Sequence, residues 1–216
     1  QGVFAREVLA DILGIGENTL GARCLEFHHG VNFFKGGLIL ADRITTVSPS
    51  YAGEILEKEY GEGLEEILQE RKGSLSGILN GIDCEKYHPG MDPALSARFP
   101  SPSWKKENKK DLQNLFRLPV KEEVPLLAIV SRLVDQKGLD LLEPVMEEIL
   151  NLDLQMVVLG TGEKKYEEMF LDFSRKYQAK LGVKITFNDV LARKIYGGAD
   201  VLLMPSRFEP CGLAQM

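Results

Sequence analysis

The chain has 216 residues, enough for one large domain or two smaller pieces. Its 44% apolar and 27% charged residues are those of an ordinary globular protein, and no run reaches the roughly 18 consecutive apolar residues that cross a bilayer. The net charge of −6 excludes general nucleic-acid or membrane-surface binding, which needs a positive footprint, but leaves room for a phosphorylated small molecule held by one or two placed cations.

In chain order, a helix is predicted near Phe4–Ile12 and an apolar helical stretch near Val31–Ala41. The β-branched run Ile44-Thr45-Thr46-Val47-Ser48, closed by Pro49, reads as a strand. Helices over Tyr51–Tyr60 and Leu64–Arg71 precede a second strand, Leu75–Leu79, which ends in the turn Asn80-Gly81-Ile82-Asp83. Between Cys84 and Ser103, Pro89, Gly90, Pro93, Pro100 and Pro102 occur with little apolar periodicity, the composition of a linker. A polar helix over Trp104–Phe116 carries Lys105, Lys106, Lys109 and Lys110, which read as a solvated face.

From there the alternation is regular. Strand Pro125–Val130, amphipathic helix Leu139–Leu150, strand Leu154–Leu159, long helix Lys164–Lys180, strand Val183–Phe187, short helix Val190–Tyr196 and strand Val201–Met204 follow one another. Strands alternating with helices imply parallel β-α-β layers, so the expected class is α/β. Residues 1–85 read as the tail of one Rossmann-like domain, 86–122 as linker and helix, and 123–216 as the first half of a second domain of nucleotide-binding type.

Open parallel sheets bind ligands outside the carboxyl ends of their strands, so the loops after Val130, Leu159, Phe187 and Met204 are the candidates. The first holds Arg132 and, five residues on, Lys137. Two cations beside free helical N–H groups suit a diphosphate, although spacing alone reads equally as solvent-facing loop charges. The second holds Gly160-Thr161-Gly162, which permits close backbone approach of a ligand but also suits a plain strand-to-helix turn. At the third, Phe187 either stacks on a purine or sugar or closes the core. At the fourth, Arg207 and Glu209 are a salt bridge or a reactive pair. Pro210 is favoured at the first position of a helix, which would set Glu209 against the positive end of a helix dipole. Because that helix is not contained in the sequence, a piece of a larger enzyme is expected.

Other chemistries lose support. His28 and His29 are adjacent and His88 lies in the linker, so none has metal-ligand spacing. Neither a G-x-S-x-G nucleophile turn nor a P-loop is present, and no Asp is followed two residues later by another. The cysteines, Cys24, Cys84 and Cys211, form no C-x-x-C pair and fit a reducing compartment.

Five stretches together resemble the bacterial glycogen synthases and plant starch synthases, retaining glycosyltransferases of the two-domain GT-B architecture. They are Ala41-Asp42-Arg43-Ile44-Thr45-Thr46-Val47-Ser48, Leu79-Asn80-Gly81-Ile82-Asp83, Ser131-Arg132-Leu133 with Gln136-Lys137-Gly138-Leu139-Asp140, Gly197-Gly198-Ala199-Asp200, and Pro205-Ser206-Arg207-Phe208-Glu209-Pro210-Cys211-Gly212-Leu213. The resemblance covers essentially the whole chain in the right order. It implies glucose transfer from ADP-glucose to the non-reducing 4-hydroxyl of an α-1,4-glucan, with no metal or other cofactor. It carries the family's phosphate-binding pair onto Arg132 and Lys137, whose charge would stabilise the departing diphosphate. Glu209 would support an oxocarbenium-like transition state. Cys211, Gly212 and Leu213 would offer backbone N–H groups to the sugar, Phe187 would wall the adenine, and Asn80 would face the cleft from the other domain. The implied partners are ADP-glucose or ADP and the glucan, with no nucleic acid and no membrane. The implied compartment is the cytoplasm of a bacterium, favoured over a plant plastid.

The resemblance has gaps. The family's N-terminal K-x-G-G-L loop, its cleft histidine and its distal glycine-rich segment have no counterpart here, so the chain alone is expected to be inactive. Lys35-Gly36-Gly37-Leu38 looks like the first, but it precedes the A-D-x-I-T-x-V-S strand, where relatives carry a structural helix. Two other readings are another retaining GT-B transferase, of sucrose- or trehalose-synthase type, and a non-catalytic nucleotide- or glucan-binding module. The former share the Arg, Lys and Glu pattern but usually lack F-E-P-C-G-L. Exposed sheet edges in the first half-domain would favour pairing with other chains.

Overall fold

The computed structural model describes residues 2–16 and 24–216. The chain divides into two compact units, one running to Gly81 and taking in Pro210–Leu213, the other comprising Ile82–Glu209 with Ala214–Met216.

The first unit contains α1 (Glu7–Asp11), a short antiparallel pair β1 (Glu26–Phe27) and β2 (Gly30–Val31), α2 (Phe33–Leu40), β3 (Ile44–Thr46), α3 (Pro49–Glu54), α4 (Glu65–Glu70) and β4 (Leu75–Gly77). β3 and β4 pair in parallel, Ile44 opposite Leu75 and Thr46 opposite Gly77, with α3 and α4 in the crossover that parallel pairing demands. Leu38, Ile44, Leu56, Leu64 and Leu68 form the core beside them. The helix starts follow the sequence. Asn32 accepts from the Lys35 N–H at 3.0 Å, and Ser48 accepts from that of Tyr51 at 2.9 Å, with Pro49 next in the chain. The end of α2 is closed from a distance, because the Arg71 guanidinium donates to the carbonyl oxygens of Leu38, Ile39 and Ala41. Lys35-Gly36-Gly37-Leu38 is helical, and a Cβ on Gly36 would lie 2.4 Å from Leu25 Cδ2. That glycine serves close packing.

The second unit contains α5 (Trp104–Leu115), β5 (Leu126–Val130), α6 (Met146–Asn151), β6 (Gln155–Gly160), α7 (Lys164–Lys176), β7 (Leu181–Ile185), α8 (Asp189–Gly198) and β8 (Val201–Leu202). The four strands are parallel in the order β7-β6-β5-β8. Alternate residues feed two cores, as a period of two requires. Ile129, Met156 and Val158 join Met146, Leu150 and Phe170 on one face, while Leu126, Ala128, Val157 and Leu159 join Leu112, Leu191 and Ile195 on the other. Burying each large side chain contributes roughly 1.5–3 kcal/mol. This is the doubly wound α/β arrangement that the strand–helix alternation predicts.

Three expectations change. The helix expected over Leu139–Leu150 is a series of 3-10 turns followed by the short α6. Pro144 lacks an N–H, and its ring would oppose the carbonyl four residues back. The stretch read as a linker is folded into the second unit. Asp92 accepts from the Ala94 N–H at 2.8 Å and pairs with Arg193, while Asn108 of α5 accepts from the Ser96 N–H at 2.9 Å and donates to the Ala97 carbonyl at 2.7 Å. Buried side chains satisfy this backbone, so it shows no periodicity. Nor is the basic run of α5 wholly solvated. Lys109 is buried, 2.7 Å from Asp200 and 2.8 Å from the Glu122 carbonyl, and Lys105 donates to the carbonyls of Gly197 and Ala199 at the end of α8.

Candidate active site

The loop after β5 and the turn after β8 meet at the carboxyl edge of the second unit's sheet. Lys137 Nζ lies 2.5 Å from Glu209 Oε1, and Ser206 Oγ donates to the same oxygen at 2.7 Å. Both charged side chains are about four-fifths buried, with relative exposures of 17% and 20%. Partial burial pushes the Glu209 carboxyl up, but the hydrogen bonds from Lys137 and Ser206 and the charges of Lys137 and Arg132 outweigh it and hold the group below the usual carboxylate range. Arg132, Lys137 and Glu209 therefore form one electrostatic cluster. After Pro210 the chain shows a 3-10 turn, Leu213–Gln215. Glu209 is held by the side chains of Lys137 and Ser206. Arg207, read as a possible partner of Glu209, pairs instead with Asp140.

Lys137 ends a 3-10 turn, Asp135–Lys137, and Gly138 follows in the left-handed region at φ 64°. A Cβ there would lie 2.0 Å from the Pro205 carbonyl oxygen, so glycine is what lets the two loops touch. Gly160 and Gly162 answer the question left open by their spacing. Cβ atoms on them would meet the carbonyl oxygens of Ser131 and Leu133 at 2.0 and 2.2 Å, and Leu133 N–H donates to the Thr161 carbonyl at 2.9 Å. These glycines join neighbouring loops to each other.

Beside the charged cluster lies a cleft of about 320 Å³ over the ends of β5, β6 and β7, with Arg132 in its wall. Phe187 lines it at 91% exposure, so it does not close the core. The strand starts at Leu181 and ends at Ile185, which leaves Phe187 in the loop. Asn188 caps α8 by accepting from the Leu191 N–H at 2.9 Å. The cleft also takes Tyr87 and Tyr196, which the pattern of residues did not single out. Burial, then the neighbouring Tyr87 and Asp189, push the Tyr196 hydroxyl up. Lys86 lies 3.0 Å from Asp189, and that hydrogen bond leads in holding the Asp189 carboxyl low. An N-cap Asn ahead of an apolar helical run was the available signal for this rim.

Asn80 is exposed in the loop after β4, in the first unit. Cys211, Gly212 and Leu213 also fall in the first unit, with Gly212 at φ 72°. Among the described residues no cluster of three or more His, Cys, Asp or Glu is placed to hold a metal, and no helix is long and apolar enough to cross a membrane.

The family profile described as starch synthase catalytic domain matches residues 1–70, and that described as glycosyl transferases group 1 matches residues 111–216. WaaG, a glycosyltransferase involved in lipopolysaccharide biosynthesis, shares the fold, with a TM-score of 0.53 at 16% identity over 97% of this chain and 50% of its own. Layered parallel sheet, strand-end cleft and profile matches define a glycosyltransferase of the GT-B class. The chain is 49% identical to the glycogen synthase of Desulforamulus reducens and 50% identical to that of Streptococcus uberis, in each case over 100% of its own length and 45% and 46% of theirs. The catalytic domain of starch synthase IV from Arabidopsis thaliana, solved bound to ADP and acarbose, matches with a TM-score of 0.80 at 34% identity over 88% of this chain and 40% of that one. The chain belongs to the glycogen and starch synthases, and it spans about half the length of the curated relatives it matches.

Proposed function

We propose that this stretch forms the donor side of a retaining hexosyltransferase that moves glucose from ADP-glucose to the 4-hydroxyl end of an α-1,4-glucan. The observation that carries it is the buried Lys137–Glu209 pair with Arg132 in electrostatic range, at the strand ends and beside a cleft. Arg132 and Lys137 stabilise the diphosphate as the glycosidic bond breaks, which is where charge develops. Glu209 faces the anomeric centre and supports its positive charge. The acceptor hydroxyl bonds to that carbon and its proton passes to the departing phosphate oxygen. Phe187 and Tyr196 offer apolar surface to the base. Cys211, Gly212 and Leu213 bind the sugar hydroxyls through backbone N–H groups, and Asn80 completes the set of donor-binding residues. Residues 1–85 and 123–216 are accordingly parts of the acceptor-side and nucleotide-sugar domains, working in the cytoplasm. ADP and glucan as ligands are supported by the 34% identical starch synthase solved with ADP and acarbose. The reading includes no metal or other cofactor, and its test is that glucose transfer by the full-length protein survives chelation by EDTA.

The test is glucose incorporation into glycogen by the full-length protein, with ADP-glucose and UDP-glucose compared. Transfer from ADP-glucose, lost in Glu209→Gln, is the expected result. Absence of transfer from either donor overturns the assignment.

A further inference from the structure

Gln136 bonds to both halves of the charged cluster in three ways. Its carbonyl accepts from the Arg207 N–H at 2.9 Å, its Nε2 donates to the Phe208 carbonyl at 3.3 Å, and its Oε1 accepts from Arg132 Nη2 at 3.4 Å. It therefore links the guanidinium of one loop to the backbone just before Glu209 on another, while Lys137, next in the chain, holds the carboxylate. We propose that Gln136 is a positioning residue that sets the spacing between Glu209 and its two cations, Arg132 and Lys137. The proposal rests on the transferase assignment above for its kinetic consequence, but not for its geometry.

The amide is suited to the task because its NH2 donates while its carbonyl oxygen accepts. The backbone bond to Arg207, with the Asp140–Arg207 ion pair, also joins the two loops, so the side chain is not their sole link. At 3.3 and 3.4 Å both side-chain bonds are long, as in sites whose contacts tighten when substrate is in place. A displacement of about 1 Å in such a cluster costs up to about 10²-fold in rate.

Two variants separate the two ends. Gln136→Glu keeps an acceptor for Arg132 but sets a carboxylate against the Phe208 carbonyl, whereas Gln136→Met keeps the length and removes both bonds. In the full-length protein kcat is expected to fall roughly 10- to 10²-fold in both, with the ADP-glucose KM held within about threefold in Gln136→Glu and raised further in Gln136→Met. Near-wild-type kcat in both variants overturns the proposal, as does a parallel change in kcat and KM accompanied by lost thermal stability. A 13C NMR titration of the Glu209 carboxyl gives a second readout that needs no turnover. That group is faced by Lys137 and Ser206 through hydrogen bonds and by Arg132 through charge, with Arg207 and Asp140 paired alongside. Its midpoint is expected to rise in Gln136→Met as the Lys137 contact loosens, and an unmoved midpoint refutes the positioning role. If the wild-type protein transfers glucose from neither donor, the transferase assignment fails, while the titration still decides the role of Gln136.

Discussion

The two sides of the second unit's sheet edge are built on different principles. On the β5–β8 side, Lys137, Ser206 and Gln136 converge on Glu209 and the residues before it, and glycines bring the loops into contact. On the β6–β7 side, an exposed Phe187 and a half-open Tyr196 stand over a cleft. Fixed, water-poor charge is effective where charge develops in a reaction, whereas an open apolar wall suits admission of a planar group. Substitutions on the first side should therefore act on kcat, and those on the second on KM.

The sharpest break of that contrast comes from Glu209→Gln, which keeps the shape and removes the charge. Glucose incorporation by the full-length protein should fall roughly 10³-fold in kcat with little change in donor KM. A predominant KM effect would make Glu209 a binding group and erase the difference between the sides. Next is Lys137→Ala, expected to lower kcat roughly 10²-fold and to strand a partly buried carboxylate, so that the acidic limb of the pH–rate profile moves to higher pH. Phe187→Ala should raise the ADP-glucose KM about tenfold and leave kcat near its original value, the loss of one stacked base. Calorimetry with ADP measures the same loss without turnover. The smallest effect is on stability. The folded state holds the Glu209 carboxyl low, so the pair stabilises the protein above the ordinary carboxylate range and that contribution is lost as pH falls through the lowered value. Acid unfolding of Lys137→Met should show a shallower dependence in that window.

The sheet was legible because Leu126–Val130 and Met156–Leu159 are apolar throughout, and buried parallel strands demand that. Arg132, Lys137 and Glu209 were legible as strand-end residues, but their union was not. Lys137 and Glu209 are 72 residues apart, and contact across that separation depends on strand order. Pro144 was the overlooked breaker in the helix after β5. Residues 84–103 looked like a linker because their order comes from Asp92, Arg193 and Asn108, which leave no periodic trace. Gln136 escaped notice for a similar reason, since two of its three bonds involve backbone groups of a distant loop.

The Glu209 turn hangs from a strand of only two residues, Val201–Leu202. That strand is secured at its root by Asp200, whose carboxylate accepts from the Leu126 N–H at 2.8 Å while Lys109 neutralises it, and further along by the Leu203 N–H on the Ala128 carbonyl at 2.8 Å. Amide exchange at Leu126 and Leu203 thus becomes a gauge of how often the sheet releases this edge. A release that carried Glu209 away from Lys137 would tie the population of the charged cluster to the opening equilibrium of one short strand.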